Sequence, residues 1–123
     1  ESYKPGTFDC IYSVSVLTHI YENRDSVLRS INNLLKDDGI FFVTYHDKTL
    51  FNELYRKKNK DKESFKEFII GQDFNDGDEG KGVFYDTTFW IEYMSKYFIH
   101  LKTEVRKLCG FQSYSIFLKK ELH

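Results

Sequence analysis

Residues 8–45 set two short apolar runs on either side of a helical pattern, and few folds accommodate that order. The first run, Phe8-Asp9-Cys10-Ile11-Tyr12-Ser13-Val14-Ser15, follows a Pro5-Gly6 turn signal and is rich in β-forming residues. Its hydrophobicity is continuous rather than alternating, which is the pattern of a strand buried on both faces of a parallel sheet. Asn23, Asp25 and Ser26 then offer helix-capping side chains. Val27, Leu28, Ile31, Leu34 and Leu35 recur at helical spacing, with Arg29, Ser30, Asn32 and Asn33 on the opposite face. The helix is expected to stop at Lys36-Asp37-Asp38-Gly39, with Gly39 in the left-handed conformation. Ile40-Phe41-Phe42-Val43-Thr44-Tyr45 reads as a second buried strand, so the segment predicts a βαβ crossover.

Beyond it the pattern loosens. Leu50 to Lys58 and Ser64 to Ile70 read as short helices, joined by the charged run Arg56 to Glu63. An acidic, glycine-rich loop follows from Asp73 to Gly82. Residues 48–82 therefore read as a helical and loop insertion, either a lid or a solvated excursion. Thr87 or Thr88 is expected to cap a helix running through Phe98, and Trp90 and Tyr93 read as core. Two strands close the chain, about Ile99 to Leu108 and Ser113 to Lys119, and their short connection requires an antiparallel pair.

The 123 residues carry 18 Lys+Arg against 19 Asp+Glu, which argues against tracking along nucleic acid. No apolar run approaches the roughly 18 residues of a membrane span, and the first residues show no charged-then-apolar secretory pattern. Cys10 and Cys109 form no CxxC pair; each sits in or beside an apolar stretch, where a buried free thiol is expected, and a reducing, cytoplasmic compartment fits best. No His/Cys/Asp cluster has metal-ligand spacing, so no metal is expected.

The order Phe8-Asp9-Cys10-Ile11-Tyr12-Ser13 … Leu34-Leu35-Lys36-Asp37-Asp38-Gly39-Ile40-Phe41-Phe42-Val43, closed by a helix and an antiparallel pair, resembles class I S-adenosylmethionine-dependent methyltransferases. Asp37-Asp38-Gly39 stands where that family habitually has Pro-Gly-Gly. The resemblance implies an α/β, Rossmann-like doubly wound sheet, here partial, with a terminal antiparallel pair whose last strand is inserted between its partner and the second strand. The family's glycine-rich loop and ribose-binding acidic residue have no counterpart among these residues, since no GxGxxG emerges from a strand. The chain thus reads as the C-terminal half of such a domain, and the missing N-terminal half is its expected partner.

The implied activity is methyl transfer from S-adenosylmethionine to a small-molecule or glycan-like acceptor, with this fragment inactive alone. The alternative is a non-catalytic Rossmann-like interaction module. By resemblance, Ser13 and Val14 would border the cofactor through backbone groups and Leu17 would pack against it. His19 and His46 are the candidate catalytic residues, because an imidazole titrating near ~6.5 can take a proton from the acceptor. For each there is a plainer reading as a locally bonded histidine. Gln112 matches a glutamine found in relatives that modify small molecules or glycans.

Overall fold

The structure, a computed structural model, describes residues 3–15, 22–55, 66–70, 82–108 and 111–122. In chain order the elements are β1 (Phe8–Ser13), α1 (Arg24–Leu34), β2 (Leu35–Asp47), α2 (Lys48–Tyr55), β3 (Glu67–Ile70), β4 (Gly82–Tyr85), α3 (Thr87–Met94), β5 (Phe98–Leu108) and β6 (Gln112–Lys119). The βαβ reading of residues 8–45 holds: β1 lies parallel to β2, with Ile11 opposite Phe41 and Ser13 opposite Val43. On its other side β2 pairs antiparallel with β6, and β6 with β5. The run β1-β2-β6-β5 is the inserted, antiparallel order that the resemblance implied. The sheet is open and mixed α/β, and β4 adds a short parallel pairing with His46 and Asp47 at the end of β2.

Register divides the sheet into two unlike faces. Row Ile11–Phe41–Phe117 faces α1 and α3, where Leu35, Phe41, Val43, Tyr45, Phe117, Leu28, Trp90, Tyr93 and Met94 form one core. Trp90 stacks on Tyr45 at 4.5 Å between centroids, and its Nε1 donates to Ser115 Oγ (3.0 Å). The expected core roles of Trp90 and Tyr93 are met. The opposite face carries Cys10–Ile40–Leu118–Ile99 and Tyr12–Phe42–Ile116 in register. Tyr12, Ile40 and Ile99 remain 73%, 40% and 48% exposed there. Cys10 is likewise exposed, against the expectation of a buried thiol, because it lies on this uncovered face of a strand paired along one edge. Cys109 lies outside the described residues.

Four local expectations are corrected. Gly39 does not adopt a left-handed conformation; the helix ends at Leu34 and the chain passes directly into β2. Gly39 is needed for space instead, since a Cβ there would meet Leu35 Cδ2 and the Lys36 carbonyl at 3.0 Å. Among the described residues the left-handed glycine is Gly6, at φ +69° in the turn before β1. Within Ser64 to Ile70, the described Glu67–Ile70 is a strand, not a helix: Phe68, Ile69 and Ile70 pair with Phe84, Val83 and Gly82 of β4, where β-branched and aromatic residues fit a pleated ladder. The helix begun near Thr87 ends at Met94 rather than Phe98, and its cap is Asp86, whose Oδ2 accepts from Phe89 N (3.2 Å). Most of the acidic loop and the charged run lie outside the described residues.

Asp25 does not cap α1; it ties α1 to α3. Its Oδ1 accepts from the hydroxyls of Tyr93 and Tyr97 (2.8 Å to the latter). Those two bonds, with Arg24 and Lys96 nearby, hold its carboxyl below the usual range. A carboxyl depressed in the folded chain contributes stability above its unfolded value, near ~4, and that contribution is lost as pH falls through the lower folded value. The Asp25→Asn variant should therefore be less stable than the parent at pH 7, with the gap closing on acidification below pH ~4. Denaturant melts at several pH values check this, and a gap independent of pH would contradict it.

Candidate functional site

In open α/β sheets ligands bind beyond the carboxyl ends of the parallel strands. Here those ends are Ser13 of β1 and Asp47 of β2. Past Ser13 the chain turns sharply, with Ser15 at φ 63°, a left-handed conformation uncommon for a side chain other than glycine. Two bonds hold it. The Ser15 N–H donates to Thr44 Oγ1 (2.9 Å), and Gln112 Nε2 donates to Ser15 Oγ (2.6 Å). The start of β6 thus reaches across β2 to the turn that follows β1. The other left-handed non-glycine residue among those described, Arg106 (φ 55°), sits at the same end. Its N–H donates to Ser113 Oγ (2.8 Å), and its guanidinium meets Glu53 Oε1 of α2 at 2.5 Å.

Polar satisfaction is incomplete here. Ser13 Oγ and Gln112 Oε1 are both buried without a hydrogen-bond partner. Most buried polar groups in folded proteins are paired, so two unmatched oxygens beside two left-handed residues mark this end of the sheet. Strain and unmet polarity of this kind gather where ligands bind.

The candidate residues distribute as follows. Ser13 closes β1 and Val14 follows it, 45% exposed. Leu17 and His19 lie outside the described residues. His46 is inside β2 rather than beyond it; it pairs with Phe84 of β4, and the two rings lie 5.2 Å apart. Asp47 is buried and committed: its carboxylate accepts from Thr49 N (2.8 Å), Thr49 Oγ1 (2.6 Å) and the Thr87 hydroxyl. Tyr45 in turn reaches Thr87 Oγ1 at 2.7 Å, and burial pushes its phenol up to about 12. The chain Tyr45–Thr87–Asp47 therefore ties β2 to α3 and stays protonated at the tyrosine. Ser15, Thr44 and Arg106 carried no sequence signal, because their contacts join distant parts of the chain.

A groove of about 900 Å³ lies at the other end of the sheet, lined by residues including Arg29, Asn32, Lys119 and Lys120. Its polar groups are largely used internally. Lys119 Nζ donates to the Leu35 carbonyl and Lys120 Nζ to that of Ser95, both at 2.6 Å. Its size exceeds its chemical promise, and the strand ends remain the candidate site.

Residues 2–43 match a family model described as a methyltransferase domain. Among solved structures, a putative S-adenosylmethionine-dependent methyltransferase from Listeria monocytogenes superposes with TM-score 0.72 at 17% identity, covering 98% of this chain and 65% of that one. A methyltransferase from Methanosarcina mazei gives 0.68 at 15% identity, covering 100% and 64%. The 1,6-didemethyltoxoflavin-N1-methyltransferase of Burkholderia thailandensis, with 1,6-didemethyltoxoflavin and S-adenosylhomocysteine bound, gives 0.68 at 13%, covering 95% and 46%. The chain thus spans about half to two-thirds of the structures it matches. No curated protein matches the sequence.

The Ser15–Thr44 bond can be tested directly. Thr44→Val keeps the shape but leaves the Ser15 N–H without its acceptor, and should cost about 1–2 kcal/mol. Amide exchange at Ser15 should accelerate; exchange unchanged from the parent would show that the bond does not hold the turn.

Proposed function

From a chain that carries the class I S-adenosylmethionine-dependent methyltransferase fold, we propose methyl transfer to a small-molecule or glycan-like acceptor at the carboxyl ends of β1 and β2. The observation that carries this reading is the clasp of Ser15, Thr44 and Gln112 at those ends, with Gln112 Oε1 and, at the end of β1, Ser13 Oγ buried and unmatched. S-adenosylmethionine fits one side of it. Ser13 offers a hydroxyl without a partner, the turn at Ser15 opens backbone groups, and exposed Val14 gives an apolar edge. When bound, the cofactor would supply an electrophilic methyl carbon to an acceptor lone pair, its sulfonium sulfur keeping the C–S bonding pair.

The chain's own residues then bind and orient. Ser13 and Val14 border the cofactor, and Leu17 packs beside it. His46, steadied by Phe84, is the proposed group that takes the acceptor's proton, with His19 as the second candidate. Much of the rate in such a site would come from holding two reactants in line.

The rest of a methyltransferase domain is the proposed partner, and the exposed face bearing Tyr12, Ile40 and Ile99 supports it. Sheets of this kind are normally covered by helices on both faces. No helix among the described residues is long and apolar enough to cross a membrane, and a cytoplasmic site of action remains part of this proposal.

Two measurements test the reading. By calorimetry, the protein expressed from its complete reading frame should bind S-adenosylhomocysteine in the micromolar range, while residues 1–123 alone should bind it weakly or not at all. No binding by the complete protein would favour the non-catalytic module. Separately, His46→Ala should lower kcat by about 10²–10⁴-fold with cofactor affinity unchanged, the size expected for loss of a general base. A kcat within about threefold of the parent would remove His46 from the mechanism.

A further inference from the structure

Gln112 is used for only half of what its amide can do. The residue is 6% exposed, its Nε2 is spent on Ser15 Oγ, and its Oε1 is buried with no partner. A clasp between β6 and the turn after β1 needs one donor and nothing more. An amide carbonyl left unmatched at the same place costs stability and returns nothing to the fold. Ser15, which fixes the amide, is itself held in a left-handed conformation by Thr44 and Gln112. The arrangement therefore spends backbone strain to hold an acceptor oxygen in place at the strand ends.

We infer that Gln112 reads the methyl acceptor: its Oε1 takes a hydrogen bond from an O–H or N–H of a small, donor-bearing molecule. Ser15 is the positioning residue that sets the amide's orientation. The chemistry narrows the acceptor class. A carbonyl oxygen attracts a hydroxyl, phenol or amine and repels a bare carboxylate or phosphate, which brings only lone pairs. This inference rests on the methyl-transfer reading, and the two can fail separately.

The test uses the protein from its complete reading frame, with S-adenosylmethionine and a panel of phenols, alcohols and primary amines as probe acceptors. For the probe turned over best, Gln112→Met should raise the acceptor KM about tenfold or more, the weight of one hydrogen bond. Because Gln112 is also one of the two bonds at the Ser15 turn, the KM for S-adenosylmethionine and the affinity for S-adenosylhomocysteine should move by clearly less than the acceptor KM. Gln112→Glu keeps an acceptor oxygen and should recover most of the loss. Ser15→Ala should move the same KM in the same direction by less, and it carries the test if Gln112→Met does not fold. The inference is overturned if the acceptor KM is unmoved, if the cofactor KM moves instead, or if Gln112→Glu is worse than Gln112→Met. It is also overturned if a protein that binds S-adenosylhomocysteine turns over no donor-bearing probe. Failure of the parent to bind S-adenosylhomocysteine would instead remove the methyl-transfer reading, and this inference with it.

Discussion

The backbone of β2 has to satisfy three neighbours at once. It meets β1 through Ser13–Val43, β6 through the stretch from Ile40 to Tyr45, and β4 at His46 and Asp47. Only one register serves all three and also turns Phe41, Val43 and Tyr45 toward α1 and α3. A slip by one residue would put Ile40, Phe42 and Thr44 in the core instead, and exchange every side chain between the faces. Because β2 is fixed in this way, the end of β1 and the start of β6 come to lie on either side of Thr44. The meeting of Ser15 with Gln112, 97 positions apart in the chain, follows from that placement.

The buried face of the sheet and its carboxyl rim are built from different materials. Toward α3, aromatic rings do the packing: Trp90 stacks on Tyr45, and Phe41, Phe98 and Phe117 lie tilted with centroids 4.9–6.4 Å from one another. Such rings gain mainly from burial, with a preference for offset or inclined contact. At the carboxyl ends of β1 and β2 the contacts are hydroxyl and amide bonds with little tolerance in length or angle. A rigid apolar base and an exacting polar rim together suit a site that must hold small ligands in one orientation.

Much of this was legible in the residues. Continuous apolar runs at Phe8 to Ser13 and Ile40 to Tyr45 announce a parallel strand pair, and the short link before Gln112 requires an antiparallel closing pair; the burial of β1 on both faces expected from its run is not met, since none of its residues is fully buried and Tyr12 is 73% exposed. Periodicity failed where tertiary pairing decides the outcome. Phe68, Ile69 and Ile70 have no strong local preference against a helix, and the ladder with β4 makes them a strand. Gly39 looked like a helix stop, while its real constraint is crowding from Leu35 and Lys36. For the site, Ser13, Val14 and His46 could be placed near strand ends by pattern. Ser15, Thr44 and Arg106 could not, since their roles arise from contacts that no local sequence window contains.

The open face of the sheet has a colloidal consequence. Tyr12, Ile40 and Ile99 present an apolar surface on a molecule whose formal net charge is −1 and whose isoelectric point is about 6.5. Long-range repulsion between copies is then nearly absent at neutral pH, and salt screens what remains within roughly 10 Å. Nothing electrostatic keeps two such faces apart, so the concentration at which this segment stays dispersed is set by how completely that face is covered.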